Sequence, residues 1–245
     1  MTQSTRNALI TGGSGGIGIA CASRLIECGY DVTLIARRED ALREAAARTG
    51  ARWLVADTAD PQSCGTAFAG FERIDLLVHA AGVIGGTYMR KQTFEQWRTI
   101  LAANLDSCFV VTQAALPLMT VGSRFVFISS SAAHQALPAR TAYGASKAGM
   151  NAFALALARE VDRDGISVHV VSPGPVETPM LQDVPNTMYA ITAEDVADSV
   201  SWLDTLAGSV ELPEIRLDAV TRGPLSRPPV QPLDENKRTQ LSERP

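Results

Sequence analysis

Asn7-Ala8-Leu9-Ile10-Thr11-Gly12-Gly13-Ser14-Gly15-Gly16-Ile17-Gly18 decides the fold. The first five residues are an apolar run of strand length. The glycine turn follows at once. From Ile17 to Cys28 the pattern is that of a helix, stopped by Gly29. A strand, a glycine turn and a helix N-terminus form a cradle for an anion. Backbone N–H groups and the helix dipole point at a phosphate, and glycine lets it come close. A glycine loop with no ligand would need no such flanks.

Outward from this unit, apolar runs alternate with helical patterns. Strands are expected at 7–11, 31–36, 52–56, 75–79, 123–129, 166–172 and 213–218. Helices fit between them at 17–28, 39–49, 61–70, 92–119, 141–163 and 193–207. Such alternation predicts an α/β fold, a doubly wound parallel sheet of about seven strands with helices on both faces. A chain of 245 residues fits one such domain, expected over 1–220. Residues 221–245 differ. They hold Pro224, Pro228, Pro229, Pro232 and Pro245, many charges and few apolar residues. They read as a polar tail, extended or partly disordered, or else clasping a neighbouring subunit.

Several function classes are disfavoured. A net charge of −4 gives no basic footprint for nucleic acid. The first six residues are polar and no apolar run approaches about 20 residues, so neither a leader nor a membrane span is expected. Cys21, Cys28, Cys64 and Cys108 lack metal-ligand spacing. Cys21 and Cys28 sit about 10 Å apart on one helix, too far to bridge. All four read as small hydrophobes of a reduced, cytoplasmic protein, and no metal is expected.

Tyr143 and Lys147 lie four residues apart near the start of an Ala-rich helix, so they share one face. A half-buried Tyr with a snorkelling Lys would give the same tetrapeptide. A phenol that must trade a proton would also have a fixed cation beside it, because that favours the phenolate. Ser130 lies thirteen residues upstream, within Phe127-Ile128-Ser129-Ser130-Ser131. A hydroxyl, a phenol and an ammonium together can polarise a carbonyl and exchange a proton with it.

With Gly12, Gly16 and Gly18 spaced as Thr-Gly-x-x-x-Gly-x-Gly, and Ser130, Tyr143 and Lys147 downstream, the chain resembles the short-chain dehydrogenase/reductase family from about residue 7 to 218. The resemblance implies a Rossmann-type fold and hydride transfer between a nicotinamide cofactor and a carbonyl or alcohol. Tyr143 is then the acid/base, Ser130 holds the substrate oxygen, and Lys147 tunes the Tyr and holds the ribose. Asn104 completes the tetrad and positions a water. Ser129 and Ser131 flank the chosen serine, so a slip of one residue is open. For the cofactor the resemblance implies Gly12, Ser14, Gly16, Ile17 and Gly18 on the pyrophosphate and Asp57 on the adenine. Ala81 and Gly82 lie beside the ribose. Pro173, Gly174, Val176 and Thr178 hold the nicotinamide amide, with Tyr143 and Lys147. His79-Ala80-Ala81-Gly82 departs from the family's Asn-Asn-Ala-Gly. His79 is expected to be a hydrogen-bonded core substitute.

The second strand ends in Ala36, then Arg37-Arg38. An acid there would hold a ribose 2′-hydroxyl and repel a 2′-phosphate. Ala does not repel it, and Arg37 and Arg38 offer donors, so NADP(H) is expected over NAD(H). Candidate walls for a small-molecule substrate, an aldehyde, ketone or hydroxy acid, are Ile84, His134, Leu137, Met180, Leu181 and Tyr189. The small residues of 141–163, with 92–119, suggest a homodimer or homotetramer. A non-catalytic regulatory or assembly protein of the same fold is the alternative.

Overall fold

A computed structural model describes residues 5–182, 189–208, 210–222 and 226–230. Most of the 221–245 tail lies outside the described residues. Seven parallel strands form the main sheet: β1 (Arg6–Thr11), β2 (Tyr30–Ala36), β3 (Arg52–Val55), β4 (Leu76–His79), β5 (Arg124–Ile128), β6 (Ser167–Pro173) and β9 (Glu214–Leu217). Their spatial order is β3-β2-β1-β4-β5-β6-β9. A small second pair joins β7 (Val176–Glu177) to β8 (Ile191–Thr192). Each main strand matches its expected position within about one residue at either end. The short pair was not legible, because two residues carry no periodicity.

The sheet is buried on both faces, which is why its central strands read as continuous apolar runs. Every residue of β4 and β5 is buried. Alternate residues serve opposite layers. Ile10, Leu34, Val78, Val126 and Val171 pack beneath α1 (Gly16–Glu27), α2 (Glu39–Thr49) and α8 (Ala193–Asp204). Leu9, Ile35, Leu77, Phe125 and Phe127 pack beneath α3 (Pro61–Phe68), α5 (Ser107–Ala115) and α6 (Thr141–Val161).

Helix ends follow local chemistry. Asp60 accepts from the N–H groups of Gln62 and Ser63 ahead of Pro61. Thr93 with Gln96, and Thr192 with Asp195, form reciprocal capping boxes. Gly50, at φ 80°, ends α2.

The helix expected over 92–119 is not uniform. α4 (Phe94–Leu101) passes into a π-turn at Ala102–Asp106 before α5, and a 3₁₀ turn, Leu116–Leu118, closes the run. Hydropathy patterns do not distinguish a π-turn from an α-helix. The run Phe94–Leu118 is long and apolar enough to cross a membrane by length and composition, yet Cys108, Val110, Val111 and Ala115 belong to the core beneath the sheet. A four-residue helix, α7 (Pro179–Gln182), follows β7.

His79 fills the core as its sequence context suggests. Its ring stacks on Phe127, centroids 4.3 Å apart and 8° from parallel, and its Nε2 lies 3.2 Å from Thr112 Oγ1. Burial drives its pKa from 6.5 down to about 3. Below pH 6.5 the unfolded chain binds a proton that the folded chain refuses. Stability therefore falls with pH across 6.5 to 3, by at most about 1.4 kcal/mol per unit. Asn does not titrate, so His79→Asn removes this slope. Urea midpoints at pH 7 and 4.5 test it: an equal acid loss in both proteins would acquit His79.

Candidate active site

Chain order reverses between β1 and β4, so the loops after these strands diverge and leave a crevice at their carboxyl ends. The glycine turn occupies it. Gly12 has φ 67°, and a Cβ there would lie 2.6 Å from the Ala80 carbonyl oxygen. Only glycine lets this turn seat on the end of β4. A Cβ on Gly18 would meet Gly12 O at 2.5 Å, so α1 starts hard against the turn. Gly15 N donates back to Gly12 O at 2.9 Å. α1 has no side-chain cap and no acid in its first turn, so nothing of its own neutralises its positive end. Ser14 is half-buried in the turn, and Ile17 packs on the core.

Gly16 differs from expectation. The space above it is filled by this chain: a Cβ would lie 2.7 Å from the Thr178 methyl. The Pro173–Thr178 segment thus closes onto the glycine turn. Gly174 N donates to Leu217 O at 2.7 Å, and Pro175 O accepts from Ile191 N at 3.0 Å. Val176 is buried in β7. On the other side, Thr11 Oγ1 accepts from Ala81 N at 3.2 Å.

Arg37 and Arg38 follow β2 and are exposed. Neither guanidinium has a hydrogen-bond or ion partner among the described residues. Asp57 is also exposed, and its Oδ1 accepts from Ala59 N at 3.0 Å.

The reactive group forms where β5 and α6 meet. Ser130 lies beside the Tyr143 phenol and acts to lower its pKa; its hydroxyl accepts from Ala132 N at 3.2 Å. Ser129 is buried instead, with its hydroxyl 3.5 Å from Lys147 O. Of the two, Ser130 is the one beside the phenol. Lys147 is buried, and its Nζ donates to Ile128 O at 2.8 Å. Burial lowers its pKa to about 8. Burial raises the Tyr143 pKa, opposed by the Ser130 hydrogen bond and then the charge of Arg140. Arg140 was missed by sequence reasoning.

Asn104 sits in the π-turn and is fully buried. Its Oδ1 accepts from Val83 N at 2.7 Å, and its Nδ2 donates to Val83 O at 3.0 Å and Ser146 Oγ at 2.9 Å. Both amide hydrogens are spent on bracing, leaving one Oδ1 lone pair for a water. The π-turn rotates this residue toward α6 and the loop after β4. Ser146 was the missed partner, one turn beyond Tyr143 on α6.

A sequence model of the short chain dehydrogenase family matches residues 6–188. The chain is a short-chain dehydrogenase/reductase. It is similar to an acetoacetyl-CoA reductase of Cupriavidus necator, 33% identical over 229 residues, covering 84% of this chain and 92% of that protein. Among solved structures it resembles an actinorhodin polyketide ketoreductase with NADPH, with a TM-score of 0.82, 28% identity, and coverage of 89% and 97%. It also resembles BdcA in complex with NADPH, with a TM-score of 0.79, 27% identity, and coverage of 88% and 93%. Membership makes the chain an oxidoreductase acting on carbonyl and hydroxyl groups.

Two of the candidate substrate walls are engaged elsewhere in this oxidoreductase. His134 Nε2 lies 2.6 Å from Glu214 Oε1 and 3.2 Å from Asn151 Nδ2, and its Nδ1 lies 3.3 Å from Arg216. These partners hold the ring at the sheet edge. Tyr189 lines a cleft of about 200 Å³ with Asp195, Asp218 and Arg227. Ile84 and Leu181 are half-buried, and Leu137 and Met180 are exposed. The larger cleft, about 560 Å³, starts at Ser14, Gly16 and Thr178 and runs between α1, α2 and α8. Tyr143 and Ser130 do not line it.

Gly16→Ala separates helix propensity from crowding. Alanine ordinarily stabilises a helical position by about 1 kcal/mol over glycine. Against Thr178 the sign reverses, and a loss of roughly 1–3 kcal/mol is expected. Thr178→Ser removes the opposing methyl and restores part of that loss. A urea-unfolding double-mutant cycle reads the coupling, and additive effects would place the crowding elsewhere.

Proposed function

We propose that this short-chain dehydrogenase/reductase uses NADP(H) to interconvert a carbonyl and an alcohol, with Tyr143 as the proton donor and acceptor. The observation that carries the reading is the convergence of Ser130, Tyr143 and the buried Lys147 where β5 meets α6, with the glycine turn in the same crevice. The nicotinamide supplies or takes the hydride when bound. Ser130 donates to the substrate oxygen, which gains charge as the carbonyl is reduced. Tyr143 delivers its proton to that oxygen. Burial keeps the phenol protonated, the state that reduction needs. Lys147, charged and close to Gly82, is placed to hold the ribose hydroxyls. Asn104 is a positioning residue that fixes the loop at Val83.

The cradle suits a dinucleotide: glycine at Gly12, Gly13 and Gly18 lets the turn lie close, and the first turn of α1 has no side-chain cap on its N–H groups. Arg37 and Arg38 favour the 2′-phosphate form. The NADPH held by the ketoreductase and by BdcA supports the same choice. The four free cysteines suit a cytoplasmic location. On α6, Ala145, Ala148, Ala152 and Leu155 are exposed together, and on α5 Phe109 is 54% exposed. This double apolar face favours a symmetric dimer or tetramer.

Tyr143→Phe keeps the ring and removes the proton. Turnover with any accepted aldehyde or ketone should vanish while NADPH fluorescence titration stays close to wild type. Retained turnover would refute the mechanism.

Arg37→Ala should weaken NADPH about ten- to a hundredfold and leave NADH nearly unchanged, the worth of one charged hydrogen bond. A wild type that prefers NADH in steady-state kinetics would overturn the cofactor choice.

Light scattering at micromolar concentration should show a multiple of 26.1 kDa. A single species at that mass would refute the assembly.

A further inference from the structure

Arg140 stands immediately before α6, one helical turn ahead of Tyr143. The residue is half-buried, and its guanidinium makes no hydrogen bond or ion pair among the described residues. The two chain segments that meet here offer it no counter-ion. Residues 131–143 contain no Asp or Glu, and residues 83–92 contain none but add Arg90 and Lys91. The first turn of α6 has no acid either. A half-buried cation without a partner loses hydration and gains nothing from the protein in return.

The backbone around it is held by force. Ala139, at φ 60°, is the one non-glycine residue with positive φ among those described. Alanine pays for that conformation, so the surroundings must impose it. They do so through Gly86, at φ 118°, where a Cβ would lie 2.7 Å from the Ala139 carbonyl oxygen. The Gly86 loop and the Ala139 turn therefore pack directly against each other and against the backbone of Arg140. The charge of Arg140 acts on that phenol.

We propose that Arg140 binds the carboxylate of the substrate, and that this enzyme acts on short oxo or hydroxy acids. The inference rests on the oxidoreductase reading above. The placement sets the class: Arg140 and Tyr143 spring from the backbone one helical turn apart, about 5 Å along the axis. A carboxylate a few bonds from the reacting carbonyl fits that span. The phosphates at the far end of a pantetheine arm do not. Arginine binds a carboxylate through two parallel N–H···O bonds, so it orients the acid as well as holding it. Arg140 is thus a specificity residue, fixing which carbonyl carbon faces the nicotinamide.

The test measures NADPH oxidation with matched pairs: 2-, 3- and 4-oxo acids and their methyl esters, with acetoacetyl-CoA alongside. In wild type the best acid should exceed its ester in kcat/KM by at least about tenfold. Arg140→Gln should collapse that ratio toward one, chiefly through the KM of the acid. Arg140→Lys should keep part of it. Thermal melts check that each variant folds, and the wild-type ratio needs no variant at all. Equal use of acid and ester by wild type, a preference for the CoA thioester, or an unchanged ratio in Arg140→Gln would each overturn the proposal. These outcomes leave the oxidoreductase reading standing. No NADPH oxidation with any of these compounds or with neutral aldehydes and ketones would sink both.

Discussion

A buried ammonium holds the site together. Burying a charge costs several kcal/mol even after relaxation, so its position is specified only where partners surround it. Lys147 is 5% exposed and is held by the carbonyl that ends β5. Met150 Sδ lies 4.0 Å from its Nζ, and the Gly82 backbone lies close by. Three elements thus converge on one nitrogen: the carboxyl end of β5, the loop after β4, and α6. Moving any of them would leave a charge stranded. Burial also lowers the pKa of this nitrogen to about 8, so it holds its proton less firmly than an exposed lysine. A site that senses a cofactor or substrate needs a charge whose environment is this finely balanced.

The bracing around that nitrogen is carried by Asn104 and Ser146, and it depends on the π-turn. A regular α-helix would place residue 104 on a different azimuth and break its paired bonds to Val83. This is the feature that hydropathy could not show, because inserting one residue into a helix changes direction without changing composition. By contrast, the glycine turn was legible from residues alone. Gly12, Gly13 and Gly18 have no room for a Cβ, so the pattern records steric facts about the fold. The strands were legible for a similar reason: burial on both faces leaves only apolar residues from Leu76 to Val78 and from Phe125 to Ile128.

Where the sequence misled, the cause was a long-range partner. The packing of Thr178 over Gly16 was not visible, because Thr178 lies far along the chain. His134 looked like a pocket wall because it follows the Ser130 turn so closely. Glu214, on the edge strand, takes the ring instead, and Glu214 Oε1 is also bonded by Ser172 Oγ at 2.7 Å. His79 was read correctly because the substitution could be judged locally. A residue in the middle of a buried strand must pack and be hydrogen-bonded, whatever its family counterpart was.

Charge placement gives the site its direction. Around the phenol lie Ser130, a neutral donor, and Arg140, a cation with no protein counter-ion among the described residues. Farther out, Arg37 and Arg38 are equally without partners. The chain carries a net charge of −4, so positive potential on it is local. An anion is drawn from bulk to such points, and focusing raises its local concentration. Two separate positive points, one at the strand end after β2 and one before α6, suit two separate anions. A dinucleotide carrying a 2′-phosphate answers the first. Under the proposed function the pyrophosphate lies on the glycine turn and the nicotinamide beside Lys147, which leaves Arg140 for the second anion. On that proposal the second point acts on the molecule that meets the hydride, and the chemistry of the substrate is written at Arg140 and not in the shared machinery of the fold.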